Sequence, residues 1–209
     1  MTLPSTAALT VRPSSEVAQR LIDATAEIID RDGEAAVRVQ DVIAAVGVPV
    51  PVLYRHFGNR EGLVQAAQVD RLMDELDAEL ARITGYVESV SSAEEFRVLI
   101  DEVLAGISTP ERRASRWRRV NILGSTYGRP ALTAAVVQLQ SRAVHAIAEL
   151  LRPPQEKGWL RAGLDLDAFA TWLAGYLIGR IVFELGDLGV DQAAYDELGA
   201  QAVRHLLFG

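Results

Sequence analysis

The chain has 209 residues, 49% of them hydrophobic, which is enough to bury a sizeable core and too apolar for a disordered segment. It has no cysteine, excluding thiol catalysis and thiolate metal sites, and 21 basic residues against 28 acidic ones give a net charge of −7, so a polyanion must be met by local placement of charge. His56, His145 and His205 lie too far apart in sequence for a local metal cluster, no cofactor is implied, and the N-terminus lacks a secretory pattern, which makes a cytoplasmic protein the expectation.

Residues 1–13 mix Thr, Ser, Pro and Ala without periodicity and read as a flexible arm, in which Arg12 can reach a phosphate or a minor groove. Ser14 or Ser15 can cap a first helix, whose Val17, Leu21, Ile28 and Ile29 recur at helical spacing up to Gly33. A short helix from Val39 to Val46 stops at Gly47. Pro49 and Pro51 frame a turn into a brief third helix, Pro51 to Phe57, and Asn59 can cap a fourth that runs to about Arg82.

Beyond Gly85, Ser92 with Glu95, Thr109 with Pro110, Asp165 and Asp191 mark further helix starts. The apolar runs place helices at about 93–107, 110–123, 130–151, 166–185 and 192–207, and no stretch alternates with period two. The expected fold is all-α, about nine helices. Its parts are the arm at 1–13, a three-helix helix-turn-helix head at 14–58 and a helical body at 59–209.

The run Gly47-Val48-Pro49-Val50-Pro51-Val52-Leu53-Tyr54-Arg55-His56-Phe57, followed by Asn59-Arg60-Glu61 and Leu63, resembles the DNA-binding head of the tetracycline-repressor (TetR) family of bacterial transcription regulators. The resemblance covers roughly residues 15–65 in motif and, for the body, only the helix count and two closing apolar helices. It implies a regulator, not an enzyme, that binds a palindromic double-stranded operator as a homodimer and answers to a small molecule. In a helix starting at Pro51, Leu53 and Phe57 share the core side while Tyr54, Arg55 and His56 point elsewhere. Arg55 can fork onto guanine or phosphate, Tyr54 and His56 can donate to phosphates, and Arg60 adds a cation beside them. Where the family has hydroxyls and a polar residue, this chain has Pro49, Val52 and Val50, whose valines suit thymine methyls, and Arg38 stands at a common cap position. Residues 14–61 hold five arginines against eight acids, so the head is not basic overall.

In the body, every face of the 168–185 helix carries apolar or small residues apart from Arg180 and Glu184, which implies burial on all sides. A membrane span is disfavoured, because Arg180 cuts the run and Asp165, Asp167 and Asp187 flank it. One face is expected on the chain's own core and the other on a second copy, through Gly175, Gly179 and Phe183, joined by Leu198 and Ala202 of the last helix. Trp117, Tyr127, Trp172 and Tyr176 are candidates to line an effector site, with ordinary core packing as the other reading. Since little besides Arg180, Glu184, His145 and Gln138 is polar there, an apolar or amphipathic effector is expected. Arg112, Arg113, Arg116, Arg118 and Arg119 form a cluster best read as a solvated face paired with acids of the fourth helix, such as Asp70, Asp74, Glu75 and Asp77. The alternative class is an all-helical small-molecule-binding protein or enzyme without DNA contact. Against it, the sequence has no phosphate-binding glycine loop, no metal-spaced His and carboxylate set and no nucleophile motif.

Overall fold

The computed structural model describes residues 15–209; the arm at 1–13, with Arg12, lies outside the described residues. Described residues form helices α1 (Glu16–Asp32), α2 (Val39–Val46), α3 (Val50–Phe57), α4 (Arg60–Ser89), α5 (Ala93–Ala105), α6 (Pro110–Ser125), α7 (Pro130–Glu156), α8 (Leu166–Gly179), the single turn α9 (Ile181–Glu184) and α10 (Gln192–Phe208). Short 3-10 turns at Glu34–Ala36 and Gly106–Ser108 join them. With α9 counted as the continuation of α8, these are nine helices and no strand among the described residues, the all-α architecture expected.

The side chains that mark helix starts make their caps. Ser15 accepts from the Ala18 amide at 3.1 Å, Asn59 from Gly62 at 2.8 Å, Ser92 from Glu95 at 3.2 Å and Asp165 from Ala168 at 2.9 Å. Each satisfies one N–H that the first turn of a helix cannot pair.

Three boundaries differ from the sequence reading by more than two residues. Helix α4 continues past Arg82 and Gly85 to Ser89, because Val87 packs against a buried cluster and holds the last turns. Helix α7 continues through Pro153 and Pro154 to Glu156, with Leu151 and Pro154 buried, and ends where the Trp159 amide donates to the Pro154 carbonyl at 2.9 Å. The run expected as one helix over 166–185 breaks at Arg180, whose side chain is drawn into polar contacts of its own.

The chain divides into two compact units. The first joins the described residues up to Glu75 with Ile122–Leu139; the second joins Leu76–Asn121 with Gln140–Gly209. The units therefore do not follow a cut at 58: α4, α6 and α7 each contribute residues to both. In the first unit, Leu21, Ile22, Val42, Val46, Leu53, Leu63, Val64 and Ala67 form one core. A second cluster there unites Val69, Leu72 and Met73 with Ile122, Leu132, Val136 and Leu139. The core of the second unit is built on Phe96, Leu99, Ala148, Leu160, Phe169, Val203 and Leu207.

Candidate nucleic-acid interface and effector site

Helices α2 and α3 meet across Gly47, which takes the left-handed conformation (φ 74°, ψ 38°) that residues with a Cβ rarely adopt. Its amide and that of Val48 both donate to the Ile43 carbonyl, at 2.9 and 3.2 Å, closing α2. Arg20 of α1 donates to the Val46 carbonyl at 2.8 Å, so a side chain braces the same turn. Pro51 lies in the first turn of α3, where its missing N–H leaves no gap in the ladder.

Leu53 is fully buried and Phe57 half-buried, which fixes α3 by one side. Tyr54, Arg55 and His56 are exposed on the other side, with Tyr54 45% open. Val50 and Val52 are half-buried, leaving part of each valine outward. Arg38 is exposed at the start of α2 and makes no side-chain cap there. The arrangement presents a short helix, anchored by two apolar residues, whose open side carries a phenol, a guanidinium and an imidazole.

Arg60 makes contacts that its sequence position does not suggest. Its Nε donates to the Val37 carbonyl at 2.8 Å and its Nη2 to the Glu34 carbonyl at 2.7 Å, so it holds the turn before α2. The Glu34 side chain is a second anchor of that turn, which the sequence reading missed. It accepts from Arg129 at 2.7 Å and from Gln68 and Ser125 at 3.2 Å each, and Arg129 also meets Glu61 at 2.5 Å. Burial by itself would raise the Glu34 pKa, but the hydrogen bonds from Arg129, Gln68 and Ser125 outweigh it and hold the carboxyl below its ordinary range.

In the second unit, rings from α8 to α10 form a ladder. Trp172 stacks on Tyr176 with centroids 5.8 Å apart, Tyr176 on Tyr195 at 6.3 Å, and Phe183 packs on Tyr195 at 4.0 Å. Beside them lies a buried polar group. Arg180, 4% exposed, contacts Asp196 at 2.6 Å and donates to Ser108 Oγ at 2.8 Å and Tyr176 Oη at 3.2 Å. Arg116 donates through Nε to Glu184 at 2.7 Å and through Nη1 to the Ile107 carbonyl at 2.8 Å. Arg180 Nε and Glu184 Oε2 are buried and find no hydrogen-bond partner among the described residues.

The sequence-derived effector candidates separate accordingly. Trp172 and Tyr176 join the ladder, and Trp117 is half-buried on α6 next to Arg116. Tyr127 is 95% exposed in the turn between α6 and α7, too open to line an interior site. Gln138 and His145 are also exposed. The arginine cluster is not one solvated face: Arg116 is buried on Glu184, Arg112 pairs with Glu79, and Arg113 donates to the Glu184 carbonyl at 2.7 Å. Tyr195, Asp196 and Ser108 escaped the sequence reading, because each meets its partner from a distant part of the chain.

Nor is the 166–184 stretch buried all round. It has a mean hydropathy of 1.3 and is only 22% buried in the single chain. Ala168, Trp172, Gly175, Gly179 and Val182 form an exposed stripe at helical spacing, and Ala194 and Leu198 are exposed on α10. Phe183 and Ala202 are only half-buried, Phe183 lying against Tyr195.

Comparison with known proteins gives the same picture. Residues 21–67 match the family described as bacterial regulatory proteins, TetR family, whereas no curated protein matches the chain. A Mesorhizobium loti MAFF303099 structure described as a TetR-family transcriptional regulator aligns with a TM-score of 0.69 at 16% identity, covering 95% of this chain and 100% of that one. A Saccharomonospora viridis structure described as a transcriptional regulator in complex with choline aligns at 0.65 and 20% identity, covering 94% and 100%. The transcriptional regulator FadR of Bacillus subtilis, in complex with stearoyl-CoA, aligns at 0.57 and 16%, covering 88% and 96%. The head is thus matched in sequence to that family over residues 21–67, and nearly the whole chain is matched in fold to structures described as transcriptional regulators.

Proposed function

We propose that the chain is a ligand-responsive repressor that binds a palindromic operator as a two-fold dimer, reading DNA with α3. The observation that carries this is the open side of α3, where Tyr54, Arg55 and His56 stand clear of the core that Leu53 anchors. Arg55 is the base-reading candidate; Tyr54, His56 and Arg38 are placed for phosphates, and Val50 and Val52 for thymine methyls. Arg60, donating to two carbonyls, positions the head and adds its positive charge beside α3. Such a regulator works in the cytoplasm, where the operator is.

The second copy is proposed to cover the exposed stripe of α8 and α9, with Gly175 and Gly179 allowing close approach and Leu198 of α10 completing the patch. Trp172 stands at the border, stacked on Tyr176 and 40% exposed. The two complexes named above carry a small cation and a long acyl thioester on similar folds, so the effector has to be read from this chain's own residues. Its aromatic ladder is flanked by Arg180, and two buried polar atoms, Arg180 Nε and Glu184 Oε2, find no hydrogen-bond partner among the described residues. That combination favours an amphipathic effector with an apolar body and a hydrogen-bonding end.

Selection of bound sequences from random duplex DNA, followed by gel-shift titration of wild type and Arg55→Ala, tests the reading. Loss of a bidentate base contact weakens specific binding by about 1 to 3 kcal/mol and relaxes the preference at one position. Unchanged affinity and unchanged preference would show that α3 is not the reader.

A further inference from the structure

The turn at Glu34–Ala36 is three residues long, caps nothing with a side chain and buries none of its residues, yet it leads into α2 through Val37 and Arg38. Two arginines hold it. Arg60 takes the carbonyl oxygens of Glu34 and of Val37 just beyond the turn, and Arg129, from the connection between α6 and α7, takes the Glu34 carboxylate. Arg129 reaches Glu61, in the first turn of α4, with the same guanidinium. The Glu34 carboxylate also receives Gln68 and Ser125; Gln68 in turn accepts from Arg71 at 2.9 Å, and Arg71 pairs with Asp30 of α1. The result is one polar chain through α1, the turn, α4 and the α6–α7 connection, all within the first compact unit.

Charge-assisted, forked contacts of this kind fix direction as well as distance. Arg129 and Glu34 are each about one quarter exposed, so their contact is neither a freely solvated ion pair nor a fully desolvated one. Glu34 is the only residue of the turn whose side chain is tied to the α6–α7 connection by a described bond. Nothing apolar substitutes for it, because the turn contributes no buried residue to the core.

We propose that Arg129 is a positioning residue for DNA reading: by gripping Glu34 and Glu61 together it sets the turn that aims α2 and α3. It acts without touching a base. The effect is larger than a surface ion pair gives elsewhere, because the element held is the lead into the reading helices. Helix α6 carries Arg116 and Trp117 as well as Ser125, so one helix contains residues of the proposed effector site and a donor to Glu34. The proposal rests on α3 being the reader.

The experiment is a gel-shift double-mutant cycle on the full-length protein, using the selected operator and a scrambled duplex. R129A and E34A are each expected to weaken operator binding about three- to tenfold, with R129K intermediate because one ammonium cannot fork onto two carboxylates. The double variant R129A/E34A is expected within about twofold of R129A alone, since both remove the same link. Circular dichroism at the assay temperature establishes folding, and R129Q replaces R129A if the alanine variant is unfolded.

The sign of E34A is decisive. A through-space charge effect would make loss of an acid tighten binding, so unchanged or tighter binding by E34A overturns the proposal. A direct phosphate contact by Arg129 would weaken operator and scrambled DNA equally and lower the salt slope by about one, which also overturns it. Arg55→Ala in the same assay separates the two readings: loss there without loss in R129A and E34A rejects the positioning role alone, and no loss in any variant rejects α3 as reader.

Discussion

Gly199 gives the sharpest quantitative test of packing in the second unit. It is buried in α10, and a Cβ at this position would lie 1.8 Å from Tyr176 Oη, 2.5 Å from Cζ and 3.1 Å from Cε2. The ring cannot yield freely, because it is stacked between Trp172 and Tyr195 and its hydroxyl accepts from Arg180. Gly199→Ala gains about 1 kcal/mol of helix propensity. Against that stand an overpacking cost of about 1 to 3 kcal/mol and loss of a hydrogen bond to a charged donor, about 1.5 to 3 kcal/mol. The net is a destabilisation of at least about 1.5 kcal/mol, or a thermal midpoint about 3 to 6 °C lower for a chain of this size. Gly85 is the control: it lies inside α4, exposed, with nothing within 4 Å of its added Cβ, so Gly85→Ala is expected to stabilise by up to about 1 kcal/mol. Thermal unfolding of both variants at one fixed protein concentration, followed by circular dichroism and tryptophan emission, measures the difference. A Gly199→Ala protein as stable as wild type would show that Tyr176 does not occupy that space, and the ladder and its contact with Arg180 would have to be redrawn.

Arg116→Ala, which leaves the Glu184 carboxylate buried without its cation, is expected to cost about 3 to 5 kcal/mol in chemical denaturation, and replacing both residues with methionine to recover most of it; a loss below about 1 kcal/mol would mean the pair is solvated. Gly179→Arg is accommodated in a single chain, since nothing lies within 4 Å of its Cβ, but it places a charge in the proposed two-fold face. Light scattering should then report a folded monomer beside a dimeric wild type, and a dimeric variant or a monomeric wild type would discard that face. Because the Glu34 carboxyl is held below its ordinary value of 4.5, its contribution is complete above that pH and is lost as pH falls further, through the lowered folded value. Urea midpoints of wild type and Glu34→Gln should converge on acidification below about pH 4.5, and a gap independent of pH would contradict the charge-based account.

The short helices of the head were legible because their signals are local. Gly47 ends α2, Pro51 starts α3, Asn59 caps α4, and the spacing of Leu53 and Phe57 names the buried side. The features missed depend on partners far along the chain. Arg60 looks like a surface cation until the carbonyls of Val37 and Glu34 are brought to it, 23 and 26 residues away in sequence. Arg129 and Glu34 are 95 residues apart, and no periodicity connects them. The break at Arg180 follows Gly179, a glycine that the sequence reading assigned to close helix approach, and it accompanies contacts with Ser108 and Asp196. Conversely, Gly85 and the pair Pro153-Pro154 are local breakers that tertiary packing overrides. Apolar composition over 166–184 reported that the stretch avoids water, but not which face a single chain leaves open.

The discontinuity of the first compact unit bears on how such a chain can be recombined with its relatives. A head cut out at residue 58 would leave behind Leu63, Val64 and Ala67 from its own core, Arg60 from its turn and Arg129 from its polar chain. The fragment would expose apolar surface and two backbone carbonyls that the intact protein satisfies. A transplant designed on the compact unit would instead move residues up to Glu75 together with Ile122–Leu139, two segments whose exchange keeps every one of those contacts inside the transferred part. The reading helix is thus local in sequence, while the smallest inheritable module that carries it intact is not.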